Sequence, residues 1–381
     1  MDSLDSMTST ARRSLAAATL AVLVVVIPAG AAQAEVRPAP SPVGGVAMGA
    51  PGVVVAPTPG TPPLPRLSAA SFVLADLGTG DVLAARNPHG RMRPASTLKV
   101  LTALTLLPKL DPATMYTAVF DDANVEGSKV GIVPGATYSV HNLFEGLFLL
   151  SGNDAANALA NAAGGVPQTV EAMRTTAQDL GALDTTVLNP SGLDADGELT
   201  SAYDLALFAR AALARDDFRA YVGTVRSHFP GKMPAAGKPR SSFEIYTQNK
   251  LVLNYPGAIG VKTGWTTKAR GTFVGAATRG NRTLVATVMH TGPRAWQEAA
   301  ALLDWGFAHA DSVTPVGTLD QPKQDSGLTS GSLSQRAVTV GTRAAGVVTS
   351  GNSLPWYAWT VLGLLAVVGG LRARVVLMRQ R

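Results

Sequence analysis

Residues 71–85 read SFVLADLGTGDVLAA. The first six, 71–76, are short, apolar and β-favouring, and predict a strand. Gly78-Thr79-Gly80 predicts a turn, and 81–85 the returning strand. A hairpin requires antiparallel pairing. The same signature returns late in the chain at 258–262, 271–278 and 282–290, with Gly280-Asn281 as a tight turn between the last two. Between these groups the periodicity is helical. Helices are expected at 96–107 (stopped by Pro108), at 143–163 with a break at 151–153, at 170–180 before Gly181, and at 203–214. A last helix is expected at about 294–308. Strands, then helices, then strands, then a helix is an α+β order. It predicts an antiparallel sheet flanked by helices, with a helical subdomain inserted in it.

The 381 residues include no cysteine. That excludes disulfide scaffolds, thiolate metal sites and cysteine nucleophiles. Arg372, Arg374, Arg379 and Arg381 supply four of the six net positive charges, and residues 1–34 are balanced. The remaining body carries only +2, too little for a nucleic-acid footprint.

Both ends have the pattern of export and membrane segments. Arg12 and Arg13, an uncharged run at 15–27 and Ala32-Gln33-Ala34 stand in the order of a signal peptide, 1–34. Residues 35–66 hold nine of the 25 prolines and are expected to be an extended linker. A catalytic domain is expected at 67–310 and a second flexible linker, rich in Ser, Gly and Thr, at 311–353. Residues 354–371 carry no charge, with Trp356, Tyr357 and Trp359 near one edge and four arginines beyond the other. This predicts one transmembrane helix, a basic cytoplasmic tail at 372–381 and a domain outside the membrane.

Three short motifs carry chemistry. In Ser96-Thr97-Leu98-Lys99 the hydroxyl and the amine are three residues apart and share a helical face. Serine is a weak nucleophile and needs an adjacent base. A lysine serves as one only when burial or a neighbouring cation lowers its pKa. Ser151-Gly152-Asn153, in the helix break, offers a hydroxyl relay and an amide that can hold a carbonyl. Lys262-Thr263-Gly264 ends a predicted strand: a cation and a hydroxyl suit an anionic substrate end, and the glycine admits close backbone approach. Each alone also fits a plainer reading, namely a helix cap with a solvated lysine, an inter-helix loop, or a strand-end turn.

In this order, on these elements, the three motifs resemble the signature of penicillin-binding proteins and class A β-lactamases. Their surroundings narrow the resemblance. Leu147-Phe-Leu-Leu-Ser-Gly-Asn-Asp-Ala-Ala156, Asn249-Lys250, Tyr255-Pro-Gly257 and Gly260-Val-Lys-Thr-Gly264 resemble the low-molecular-mass D-alanyl-D-alanine carboxypeptidases, over residues 67–310. The resemblance implies a β-lactamase/DD-peptidase-like fold. Its substrate would be a peptidoglycan stem peptide ending in D-Ala-D-Ala, and β-lactams would be inhibitors. No metal or organic cofactor is implied. It makes Ser96 the acylated nucleophile, Lys99 its base, and Ser151 and Asn153 the proton relay and substrate holder. Lys262 and Thr263 would hold the terminal carboxylate, and the backbone N–H groups of Ser96 and Trp265 would form the oxyanion hole. Arg294 is a candidate second carboxylate ligand, one residue out of local alignment. The chain departs from the pattern at Ala269-Arg270-Gly271, where the family has an Ala-Gly pair, and the family's all-β second domain finds no match in 311–353.

Two other readings compete. A β-lactamase would share Ser96 and Lys99 but needs a deacylating water, often held by a glutamate with an asparagine nearby. No such pairing stands at a convincing position between Asn153 and Lys262. A non-catalytic wall-binding scaffold would not need Ser96 and Lys99 together. The sequence has no G-x-S-x-G elbow and no H-E-x-x-H pair. The five histidines, His89, His141, His228, His290 and His309, are left out of the site.

Overall fold

The hairpin at 71–85 forms and lies in the middle of the main sheet. The computed structural model describes residues 42–319. Its strands are β1 (Val53–Pro57), β2 (Ser71–Asp76), β3 (Asp81–Arg86), β4 (Met115–Thr117), β5 (Thr137–Ser139), β6 (Arg226–Pro230), β7 (Ser242–Tyr246), β8 (Ala258–Thr266), β9 (Arg270–Arg279), β10 (Arg282–Thr291), β11 (Val313–Thr314) and β12 (Gly317–Thr318). The helices are α1 (Lys99–Leu106), α2 (Phe120–Ala123), α3 (Val140–Leu149), α4 (Asn153–Ala162), α5 (Val166–Asp179), α6 (Ala202–Leu213), α7 (Asp216–Gly223), α8 (Lys250–Asn254) and α9 (Ala295–His309).

The main sheet runs β11-β1-β3-β2-β10-β9-β8, with β12 also on β3. All its pairs are antiparallel. Side chains alternate between its two faces. Phe72 and Leu74 of β2, with Leu284, Ala286 and Val288 of β10, pack with Leu302, Leu303 and Trp305 of α9. Val73, Ala75, Val285 and Met289 pack on the other face with α1, α3, α4 and α6. The α+β class and the inserted helical block are thus as expected. The strand β8 ends the sheet, so one side of its backbone faces the helical block rather than another strand.

The folded domain is wider than 67–310: the described parts of the two expected linkers, 42–66 and 311–319, belong to it. From Pro42 the proline-rich stretch is part of the fold. Met48 is buried, β1 pairs with β3 through Val54 and Ala85, and Trp305 Nε1 donates to the Pro62 carbonyl at 3.0 Å. Proline does not prevent this, because Pro57 stands at the end of its strand, near the sheet margin. On the other flank, β11 pairs with β1 and β12 with β3. Tyr203 Oη donates to the Thr318 carbonyl at 2.6 Å. Strands of two to five residues, held by backbone pairing, are too short for a hydrophobic period to announce them.

The expected signal peptide 1–34, the transmembrane run 354–371 and the tail 372–381 lie outside the described residues. Among the described residues no helix is long and apolar enough to cross a membrane.

Candidate active site

The serine–lysine motif does not open an ordinary α-helix. Residues Ala95–Leu98 form a 3-10 turn, and α1 begins only at Lys99. With three residues per turn, side chains three apart eclipse one another. Ser96 Oγ and Lys99 Nζ therefore stand 2.9 Å apart. The turn starts from a strained residue, Ala95, at φ +47°. The Pro94 carbonyl just before it is pinned by Thr97 Oγ1 at 2.6 Å and by Thr272 Oγ1 of β9 at 2.9 Å. Those two bonds hold the strained backbone against the sheet.

Lys99 has no solvent exposure. Its Nζ reaches three oxygens: Ser96 Oγ, Asn153 Oδ1 at 2.7 Å and the Ser191 carbonyl at 2.7 Å. Burial first, and then the nearby Lys262 charge, lower its pKa well below that of a free lysine, against smaller opposing effects of Asp154 and Glu198. A neutral amine has two N–H donors and one lone pair. The amide and backbone oxygens can only accept, so they take the two donors. The lone pair is left for the Ser96 hydroxyl.

The Ser-Gly-Asn turn lies where α3 ends and α4 begins, with Ser151 at φ +58°. Asp154 fixes it: its buried carboxylate accepts from the backbone N–H groups of Val130, Gly131, Ile132 and Ala155. Asn153 Nδ2 donates to the Glu126 carbonyl at 2.6 Å, which turns Oδ1 toward Lys99. Lys262 of β8 is 1% exposed. Its Nζ donates to Ser151 Oγ at 3.0 Å and to the Thr263 carbonyl at 2.8 Å. Burial lowers its pKa to about 7.

Gly264 packs against the nucleophile's own backbone. A Cβ there would meet Thr272 Oγ1 at 2.3 Å and the Ser96 nitrogen at 2.9 Å. Gly264→Ala should push β8 off the Ser96 turn and slow acylation by about 100-fold or more, as loss of an oxyanion donor does. Stopped-flow or gel labelling with a fluorescent penicillin would measure it; a rate within twofold of wild type would show that the close approach is not needed.

One groove is lined by Ser96, Asn153, Gly192, Leu193 and Trp265, with Glu126 and Lys268 at its polar wall. A second hollow is lined by Thr263, Gly264, Trp265, Phe273 and Trp296. Trp265, 56% exposed, borders both. The structure thus brings together Ser96, Lys99, Ser151, Asn153, Lys262, Thr263, Gly264 and Trp265. Arg294 is not with them. It caps α9, exposed, and lines neither hollow. Its neighbours Pro293 and Ala295 line the second one. The Ala269-Arg270-Gly271 departure is absorbed at the β8–β9 turn, where Arg270 takes φ +59° and still pairs with Thr266.

Sequence reasoning missed the loop 189–193. Gly192, at φ +74°, leaves room for the Ala95 carbonyl, which a Cβ would meet at 1.9 Å. The Ser191 carbonyl beside it accepts from Lys99. Asn-Pro-Ser-Gly is a turn signal, but a backbone oxygen leaves no trace in a motif. Buried Glu198 and half-buried Asn189 do pair in this region. The pair is spread over nine positions and meets only in the folded loop. Glu198 does not line the groove. Its oxygens accept from the Leu188 and Asn189 amides and from Asn189 Nδ2. It is therefore not placed to hold a hydrolytic water over Ser96.

A buried amine 2.9 Å from a serine hydroxyl, under the edge of a sheet, is the arrangement of an acyl-transfer hydrolase that works through serine and lysine. The comparisons with known proteins agree. Residues 58–292 match the family model described as D-alanyl-D-alanine carboxypeptidase, and the chain belongs to that family of serine hydrolases. It is 42% identical over 267 residues to the D-alanyl-D-alanine carboxypeptidase DacB2 of Mycobacterium tuberculosis, covering 68% of this chain and 89% of the relative. The crystal structure of a D-alanyl-D-alanine carboxypeptidase from Mycobacterium tuberculosis H37Rv superposes with a TM-score of 0.64 at 41% identity, over 69% of this chain and 99% of that one. The Streptomyces K15 DD-transpeptidase gives a TM-score of 0.61 at 28% identity, over 65% and 100%.

Proposed function

We propose that the chain removes the terminal D-alanine from peptidoglycan stem peptides through an acyl-enzyme on Ser96. The observation that carries this reading is the setting of Lys99: its buried Nζ stands 2.9 Å from Ser96 Oγ, and two acceptor-only oxygens are in place to take its N–H donors once the amine is neutral. Lys99 takes the proton as Ser96 Oγ attacks the carbonyl between the two D-alanines. The Ser96 and Trp265 amides receive the oxyanion. Lys262 and Thr263 hold the terminal carboxylate. The proton taken by Lys99 returns to the leaving amine, with the Ser151 hydroxyl, bonded to Lys262 and set beside Asn153, relaying it by giving its own proton as it receives that one. D-Alanine departs, and water attacks the ester to free Ser96. A β-lactam follows the first half and stalls.

Mass spectrometry of a defined pentapeptide ending in D-Ala-D-Ala tests the reading. Loss of one D-alanine is the expected result. An uncleaved peptide overturns it, and transfer to an added amine would make the enzyme a transpeptidase. Rapid repeated turnover of benzylpenicillin without peptide cleavage would instead support the β-lactamase reading, against which the fully engaged Glu198 carboxylate counts.

The two lysines imply a bell-shaped pH profile. Lys99 must be neutral, so activity falls as pH drops through its lowered pKa. Lys262 must be charged to hold a carboxylate, so activity falls again as pH rises past about 7, or somewhat higher once the anion is bound. Lys262→Arg, always charged, should flatten the alkaline limb in kcat/KM and leave the acid limb in place.

A secreted chain held by a span at 354–371 would place this domain outside the membrane, within reach of the wall. The support is in the sequence: the signal-peptide pattern at one end and the uncharged run followed by arginines at the other.

A further inference from the structure

Glu198 is buried to 1% exposure, and the mechanism above does not use it. Its Oε1 accepts from the Leu188 and Asn189 amides, each at 3.1 Å, and its Oε2 from Asn189 Nδ2 at 2.6 Å. Asn189 is the hub of the next turn. Its Oδ1 accepts from Ser191 N at 3.0 Å, Ser191 Oγ at 2.8 Å, Gly192 N at 2.9 Å and Leu193 N at 3.2 Å. Its Nδ2 also donates to the Leu193 carbonyl at 2.8 Å. The loop so folded presents one oxygen to the catalytic amine, the Ser191 carbonyl, 2.7 Å from Lys99 Nζ. Gly192 packs it onto Ala95, the strained residue before Ser96.

We propose that Glu198 is a positioning residue for Lys99: through Asn189 it shapes the 189–193 loop so that the Ser191 carbonyl takes one N–H of the amine and fixes where its lone pair points. The inference rests on Lys99 being the base. Without that carbonyl, the amine keeps only Asn153 Oδ1 as an acceptor-only partner and can rotate its lone pair away from Ser96. The charged groups that bear on Lys99 are Lys262, Asp154 and Glu198 itself. Where it is ionised, Glu198 acts a second way: its carboxylate raises the proton affinity of Lys99, although burial pushes its own pKa up to about 7 and the effect fades below that pH.

The two actions separate in two variants. Glu198→Gln removes the charge and turns an N–H2 group toward Asn189 Nδ2, donor against donor. Asn189→Ala dismantles the hub but keeps the charge. Acylation by a fluorescent penicillin is followed against pH in both, alongside thermal melting. Both should acylate about 10–100-fold more slowly at pH 7, as misplacement of a reacting group does. In Glu198→Gln alone the pH profile should also change near pH 7, where the wild-type carboxyl titrates, a change that a merely structural role would not produce. Wild-type rates in Asn189→Ala overturn the proposal, even if Glu198→Gln fails to fold. A folded Glu198→Gln whose profile around pH 7 has the wild-type shape overturns the charge effect. Wild-type protein that takes up no penicillin removes the serine–lysine reading itself, whereas wild-type uptake with equally fast variants removes only the role of Glu198.

Discussion

Ser96→Ala should take up no penicillin and release no D-alanine. The hydroxyl lines the groove and stands 2.9 Å from Lys99 Nζ, so its removal takes away the atom that would be acylated. Where a serine nucleophile has been removed elsewhere, turnover has fallen on the order of a million-fold. The fold should barely respond. Lys99 keeps Asn153 Oδ1 and the Ser191 carbonyl as partners. The lost hydrogen bond is worth about 1 kcal/mol, a melting shift of about 2–4 °C. Labelling, peptide release and melting measured on one preparation therefore separate chemistry from folding. A variant that still labels would place the nucleophile elsewhere.

Lys99→Met should slow acylation by about 100–10,000-fold, the usual worth of a positioned base. Methionine fills similar volume, so it tests the amine rather than the space it occupies. Two buried acceptors, Asn153 Oδ1 and the Ser191 carbonyl, lose their donor, at about 1–3 kcal/mol each. The variant should melt lower yet remain folded. Its residual acylation should also lose the acid limb of the pH profile, because the group that must shed a proton is gone. A folded Lys99→Met that labels at the wild-type rate would take the base role from the lysine.

Much of this site was legible because it is local. Ser96 and Lys99 are three residues apart, Ser151 and Asn153 two, and Lys262 to Gly264 are contiguous. Such spacings survive in a sequence because helix and strand geometry fix them. The hairpin at 71–85, the three long late strands and the main helices were legible for the same reason. The short strands at both flanks were not, nor was the loop 189–193. A two-residue strand has no period, and a carbonyl that faces a lysine 92 positions away carries no side-chain signature.

The sequence alone determined which reactive groups are present, and that they stand on a helix start, a helix break and a strand end. Helical and extended periodicity is a property of neighbours, and it needs no contact with the rest of the chain. Only the tertiary structure decided that Lys99 is sealed from water and that Lys262 stands near enough to lower its pKa further. It alone set the Ser191 carbonyl on the amine and turned Arg294 out of the groove. Desolvation and distance arise between elements far apart in the chain, and it is these that make an ordinary lysine a base.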